Sequence, residues 1–291
     1  MKVVFHMGAH STDEDRLIKC LKRNPEVLER AQTIVPWPGR YRLVLRDALL
    51  ALRGRAADSD YQETILDSIT DEDDFERIVF SHDFFMCIPQ RVITPEGLYA
   101  MVPAKLGPLA NILADAEVEF HMATVNPATL IPALIARIKD ATYESVMQGI
   151  DPRALRWAPM VRNMAEAAQG RRLVVWCNED TPLIWPEVLR SLGGIKEQVD
   201  LDGDFAILGA IMAPEGLERL RAYLGSHPPQ TIAQRRKIVM AFLDKFAVED
   251  QIEMEVPLPG WTEELIEEIT QIYEADTAEI AQIEGVEFIA P

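Results

Sequence analysis

The sequence predicts one α/β domain over residues 1–291, built in three layers: a mainly parallel sheet flanked by helices, with a helical C-terminal third. Three observations carry that expectation. Short runs rich in β-branched and aromatic residues recur at Lys2–Met7, Arg77–Ser81, Glu117–Ala123 and Arg172–Cys177. Stretches of helical periodicity separate them, long enough for right-handed crossovers between parallel strands. Arg77–Ser81 is almost continuously apolar, the mark of a strand covered on both faces. A chain of 291 residues with 48% hydrophobic content has the material for such a core.

Taken in order, Lys2–Met7 (KVVFHM) ends at Gly8, and helical spacing begins at Thr12, with Leu17, Ile18 and Leu21 on one face. Asn24-Pro25 ends that helix, because the residue before a proline is pushed out of the α region. Further helices are expected over Arg42–Arg53 and Asp60–Ile69, ahead of the second strand at Arg77–Ser81. The third strand, Glu117–Ala123, leads into a helix over Pro127–Lys139; a helix over Ala154–Ala168 precedes the fourth, Arg172–Cys177. Beyond Asp180 the reading is almost all helix: Pro182–Leu192, Phe205–Leu224, Thr231–Phe246 and Thr262–Ile283. The last carries Leu265, Ile266, Ile269, Ile272, Tyr273, Ile280 and Ile283 on one side and glutamates on the other. Gly193-Gly194 and the turn Asp200–Asp204 mark the best internal boundary, and they read as a loop within one domain.

Composition excludes several classes of function. The formal charge of −18 opposes nucleic-acid and anionic-membrane partners, which require a basic face to displace counterions. A local basic pocket inside an acidic shell remains compatible with it. No segment approaches the roughly 20 apolar residues that span a bilayer. The short run at Val3-Val4-Phe5 lacks the length and cleavage site of a signal peptide. Cys20, Cys87 and Cys177 are odd in number, widely spaced and without a CxxC pair, as in a reduced cytoplasmic protein. The expected partner is a small-molecule ligand.

In an open parallel sheet, ligands gather at the carboxyl ends of the strands. Those ends are Gly8-Ala9-His10-Ser11-Thr12, Ser81-His82-Asp83, Thr124-Val125-Asn126 and Asn178-Glu179-Asp180. The first is the most informative, since a strand, a glycine and a helix N-terminus form a ready anion site. Ser11-Thr12-Asp13-Glu14 also reads as a capping box, with Ser11 accepting from the N–H of Glu14 and the Glu14 carboxylate reaching back to Ser11. Asp13, Glu14 and Asp15 then fill the first turn with negative charge, and no lysine offsets it. Self-capped structure and anion site both stay open. Asp83 is a candidate general base or a cap of the next turn. His6, His10, His82-Asp83 and Glu179-Asp180 are metal-capable if their strands are neighbours; otherwise they are hydrogen-bonded groups at the sheet edge. Trp176, Trp185 and Trp261 read as packing, and Arg235-Arg236-Lys237 as a solvated face. The absence of a G-x-x-x-x-G-K-S/T loop leaves ATPase or GTPase chemistry without a motif.

The segment Val4-Phe5-His6-Met7-Gly8-Ala9-His10-Ser11-Thr12-Asp13-Glu14-Asp15 resembles the phosphosulfate loop of bacterial sulfotransferases, a strand followed by G-A-H-K-T-G-T-T. Gly8, Ala9, His10 and Thr12 match; Ser11 stands for the lysine, Asp13 for the glycine, and Glu14 and Asp15 for hydroxyl residues. Ile78-Val79-Phe80-Ser81-His82-Asp83 is similar to the family's strand ending in Ser-x-Glu. The segment Pro257-Leu258-Pro259-Gly260-Trp261 through Tyr273-Glu274-Ala275-Asp276 to Gly285-Val286 resembles its C-terminal helix and tail. The resemblance implies a P-loop-type fold and use of PAPS (3′-phosphoadenosine 5′-phosphosulfate), with a sulfuryl group passed to a small hydroxyl or amine acceptor. It assigns Gly8, Ala9, His10, Ser11, Thr12 and Ser81 to the donor and His10 and Asp83 to catalysis. Ser11 in place of lysine, and Val125 where the family carries arginine, imply an altered donor site. Two other readings stand beside it: the same fold without catalysis, serving as a binding or partner module, and a metal-dependent hydrolase.

Overall fold

The computed structural model of the chain describes residues 1–13, 15–252 and 258–291. Its centre is a sheet of strands β1 (Lys2–His6), β2 (Thr33–Ile34), β3 (Arg77–Ser81), β4 (Glu117–Thr124), β5 (Leu173–Cys177) and β6 (Val286–Ile289). They lie in the order 2-3-1-4-5-6, and every described pairing is parallel. The expected three-layer α/β architecture is therefore observed. Val3 and Phe5 of β1 point to one face, beside Ile78, Phe80 and Phe120; Val4 points to the other, beside Val79, Val174 and Trp176. That alternation is the pleat at work, and because both faces are covered, both sets are apolar.

Helices α3 (Pro38–Leu52), α4 (Ser59–Ile69), α5 (Pro103–Ala110), α6 (Pro127–Arg137) and α8 (Ala158–Ala168) cover the first face, together with α14 (Glu263–Ile280). Tyr41, Leu45, Leu106, Leu130, Ile131, Leu134 and Met164 are the side chains they press onto it. The second face carries α1 (Arg16–Lys22) and α9 (Thr181–Gly193), through Leu17, Ile18, Leu21, Ile184, Val188 and Leu192. Full burial of each such side chain is worth roughly 1.5–3 kcal/mol. Beyond α9, helices α10 (Leu208–Ile211), α11 (Pro214–Ser226) and α12 (Ile232–Phe246) share a smaller cluster of Leu208, Met212, Leu220 and Val239. Short helices α2 (Pro25–Arg30), α7 (Tyr143–Met147) and α13 (Glu249–Ile252) lie in the connecting segments. Among the described residues no helix is long and apolar enough to cross a membrane.

The structure departs from the sequence reading at several elements. The first helix starts at Arg16 rather than Thr12, because Ser11 and Asp15 both take left-handed backbone angles (φ 63° each) that interrupt helix growth. The stretch 205–224 is not one helix: Pro214 has no N–H to donate, and the chain breaks into α10 and α11 on either side of Met212-Ala213. The helical C-terminal third ends in β6, which pairs with β5 from Leu173↔Val286 to Trp176↔Ile289. As a half-exposed edge strand of four residues, β6 lacks the apolar run that marks the central strands. A two-stranded hairpin of Ile93–Thr94 and Gly97–Leu98, together with α5, fills the stretch between β3 and β4.

Strand order places the cleft. The connection leaving β1 passes to α1 on one face, whereas those leaving β3 and β4 pass to α5 and α6 on the other. Such a divergence opens a crevice at the carboxyl ends of the strands involved. Here it lies over the turn that follows β1.

Candidate functional site

A cavity of about 750 Å³ occupies that crevice. Its floor is Gly8, Ala9 and Ser11 after β1 and Ser81, His82 and Asp83 after β3; Arg42 of α3 and Ala133, Ala136 and Arg137 of α6 form walls. Gly8 sits at φ 73°, a backbone angle that favours glycine, and the Asp83 Cβ lies 3.4 Å from where a Cβ would stand. The Thr12 hydroxyl donates to the Ala9 carbonyl at 2.8 Å and closes the turn; Thr12 does not line the cavity. Ser11 is not the helix cap, since α1 starts five residues later. The other half of the expected capping box, Glu14, lies outside the described residues. Asp13 does the capping instead: its Oδ1 accepts from the Leu17 N–H at 2.8 Å and its carbonyl from the Arg16 N–H at 2.9 Å. Burial pushes the Asp13 carboxyl up to about 6, against the Leu17 hydrogen bond.

The first turn has no cation of its own, but the fold delivers two. Arg42 places Nη2 2.6 Å from Asp15 Oδ1 and 3.5 Å from the Ser81 carbonyl, while its Nε is buried without a partner. Arg137 forms an ion pair with Asp83, and its guanidinium lies 5.8 Å from the Phe84 ring centroid. Nothing in the sequence separates these two from the other 27 of the 29 Lys and Arg residues. One falls at the start of an expected helix and the other near the end of another. Only the packing of α3 and α6 on the same face aims both at one cavity.

Asp83 has a definite electrostatic position. Burial raises its carboxyl, but the His82 ring and the facing His10 and Arg137 outweigh burial and hold it at about 2. His82 Nδ1 lies 3.3 Å from its Oδ1. In this arrangement Asp83 anchors Arg137 and, while so paired, is a weak base.

His10 matches the resemblance in sequence, but the structure places its ring beneath the turn rather than in the cavity. The ring is fully buried, stacked on Tyr99 at 5.7 Å between centroids. The Tyr99 hydroxyl accepts the His10 backbone N–H at 3.0 Å and lies 2.9 Å from Nδ1. Having one proton to give, the phenol donates it to Nδ1, which puts the imidazole proton on Nε2. Burial lowers the His10 pKa to about 4, so the ring is neutral at pH 7. The structure thus places His10, to which the resemblance gives a catalytic role, as a buried strut beneath the turn. His6, which does line the cavity, holds Nδ1 2.8 Å from Ser81 Oγ and stacks on Trp176 at 5.7 Å. Burial, then nearby His121, lower it to about 3.

The ends of β4 and β5 do not join this cavity. Glu179 accepts from the Asn126 N–H at 2.8 Å and from the Tyr273 hydroxyl at 3.0 Å, and Cys177 Sγ lies 3.1 Å from the same carboxylate. Tyr273 also meets the Thr124 hydroxyl at 3.0 Å, so this polar cluster ties two strand ends to α14. Val125, where the resemblance expects an arginine, is a core side chain whose carbonyl accepts from Trp157 Nε1 at 2.8 Å. The metal reading finds no assembled site: among the described residues no three His, Cys, Asp or Glu side chains converge to hold an ion. His6 is turned to Ser81, His10 to Tyr99 and Glu179 to Tyr273. Comparison with protein-family models, with curated proteins and with solved structures found no match.

Proposed function

We propose that the cavity over Gly8–Ser11 binds a small phosphosulfate-type anion, and that the chain is a sulfotransferase-like enzyme whose cations come from Arg42 and Arg137. One observation supports this reading above others: two guanidinium groups from separate helices meet over the first βα turn, each held by a carboxylate that lines the same cavity. An anion entering there exchanges a carboxylate partner for its own oxygens without breaking the fold. Arginine suits the task because its planar fork matches a tetrahedral oxyanion.

The chemistry on this reading balances as follows. The acceptor oxygen or nitrogen attacks the sulfur of PAPS and the S–O bond to the phosphate breaks, releasing 3′-phosphoadenosine 5′-phosphate. Arg42 and Arg137 carry the charge that grows on the bridging and sulfuryl oxygens, the contribution made by lysine where Ser11 stands here. When Arg137 turns to the anion, Asp83 loses one of the groups that, with His82 and His10, hold its pKa low, and it becomes a stronger base toward the acceptor proton. Gly8, Ala9 and Ser11 supply backbone contacts to the donor, and Ser81 a hydroxyl.

Titration calorimetry with PAPS and with 3′-phosphoadenosine 5′-phosphate tests the reading. Binding in the micromolar to low-millimolar range is expected, weakened about tenfold or more in Arg42→Gln and in Arg137→Gln, which is about 1.4 kcal/mol per arginine. No heat from either nucleotide at millimolar concentration overturns it. A second reading, a binding module of the same fold without turnover, draws support from the missing lysine at Ser11. It predicts nucleotide binding with no sulfuryl transfer to any phenol or amine offered.

A further inference from the structure

A second pocket, of about 460 Å³, lies between α1 and the α10–α11 corner. Arg16 and Lys19 reach it from α1, Arg23 from the C-cap of that helix, and Arg221 from α11. The spacing of 16, 19 and 23, with the C-cap Arg23 still in helical conformation, puts the three cations on one helical face. On a chain with 47 acidic and 29 basic residues, four cations lining one groove is an inversion of the surface average. Among the described residues no carboxylate comes within ion-pair distance of Arg16, Arg23 or Arg221. Arg221 stacks over the Phe205 ring at 5.2 Å, and Arg235 approaches the same ring at 6.0 Å with its Nη1 buried and unpartnered. Two carboxylates also line the groove. Asp13 is engaged by the Leu17 N–H, and Asp202 lies on an exposed turn whose backbone is bonded to the Asn24 side chain. Converging guanidinium groups repel one another, and a bound anion removes that repulsion.

We infer that this groove is an anion site separate from the cavity over Gly8, and that its ligand is a small molecule carrying a phosphate or pyrophosphate group. Gly209 and Ala210 keep the α10 wall low, leaving room for a compact anion beside Phe205. Asp13 lines both the groove and the first cavity, so an anion here acts on α1 and on the turn before it. The inference does not depend on the sulfotransferase reading.

The probe is inorganic pyrophosphate, titrated calorimetrically into the full chain at low ionic strength. One equivalent is expected to bind at this groove in the micromolar to millimolar range, apart from any held in the first cavity. The double variant Arg23→Gln/Arg221→Gln, which alters two exposed side chains, is expected to weaken it about tenfold or more, while Arg137→Gln leaves it unchanged. Three outcomes overturn the inference: no binding at millimolar pyrophosphate, equal binding by the double variant, or loss confined to Arg137→Gln. The last places the anion in the first cavity, and so separates failure here from failure of the other reading.

Discussion

At the scale of single residues, histidine burial is the feature with the plainest consequence. His6 stays neutral in the folded chain down to about pH 3, whereas an unfolded histidine takes up a proton near 6.5. Between those values the unfolded state binds more protons, so stability falls as pH drops through that window. His10 and His121 are lowered in the same direction, and Asp13, raised to about 6, acts in the opposite one. Asparagine at position 6 reproduces the geometry of Nδ1 toward Ser81 and carries no titrating group. His6→Asn is therefore expected to flatten the slope of unfolding free energy between about pH 4 and pH 6 by up to about 1.4 kcal/mol per pH unit. Urea melts of wild type and variant across that range read it directly, and parallel slopes count against a neutral buried His6.

At the scale of elements, the joint between α14 and α8 shows how one helix finishes another. Helix α8 has no capping side chain of its own, because Trp157 occupies its N-cap. The carboxylate of Asp276, on α14, is 1% exposed and accepts from the backbone N–H groups of Trp157 and Ala158. Arg156 Nε adds a contact at 2.6 Å. Those N–H groups lie at the positive end of the α8 dipole, where a buried anion is most strongly held. Asp276→Ala leaves them buried and unsatisfied, and is expected to destabilise the protein by about 2–4 kcal/mol, measured as a lower denaturation midpoint. Asp276→Asn retains one acceptor oxygen and should lose less. The sequence places Asp276 on the expected amphipathic helix, but its partner is 119 residues away and has no local signature.

At the scale of the whole molecule, one buried carboxylate ties four strands together. Glu119 of β4 is 1% exposed, takes both Nη atoms of Arg77 from β3 at 3.1 and 3.0 Å, and meets Arg172 at 3.0 Å beside β5. Lys2 of β1 approaches at 3.7 Å, and Arg172 continues to Glu287 of β6 at 2.7 Å. Burial works against the charge, but the His121 and Arg77 hydrogen bonds and the Arg77 charge prevail, holding the carboxyl well below the usual range. Glu119→Gln leaves Arg77 buried without its counter-charge and is expected to destabilise by about 3–5 kcal/mol. A loss below about 1 kcal/mol in a thermal or urea melt rules out that account. Because the folded pKa is lowered, the stabilisation from Glu119 is present above about pH 4.5 and fades as acid protonates the carboxyl.

The sequence by itself determined the strands β1, β3, β4 and β5, since each is a short run rich in β-branched and aromatic residues between helical stretches. It also determined that Gly8 begins a turn at the carboxyl end of the first strand, where the left-handed backbone favours glycine. Strand order, and with it the site, belonged to the tertiary structure. The acidic first turn reads locally as a poor anion cradle, and so it is until packing brings Arg42 and Arg137 over it from 27 and 54 residues beyond Asp15 and Asp83. The same packing turned His10 away from the cavity and His6 toward it, although both lie within five residues of one strand and turn. Local periodicity fixes which way a side chain faces relative to its own element. Which charges become neighbours depends on long-range strand pairing and helix docking, whose energies arise between segments that no local window contains.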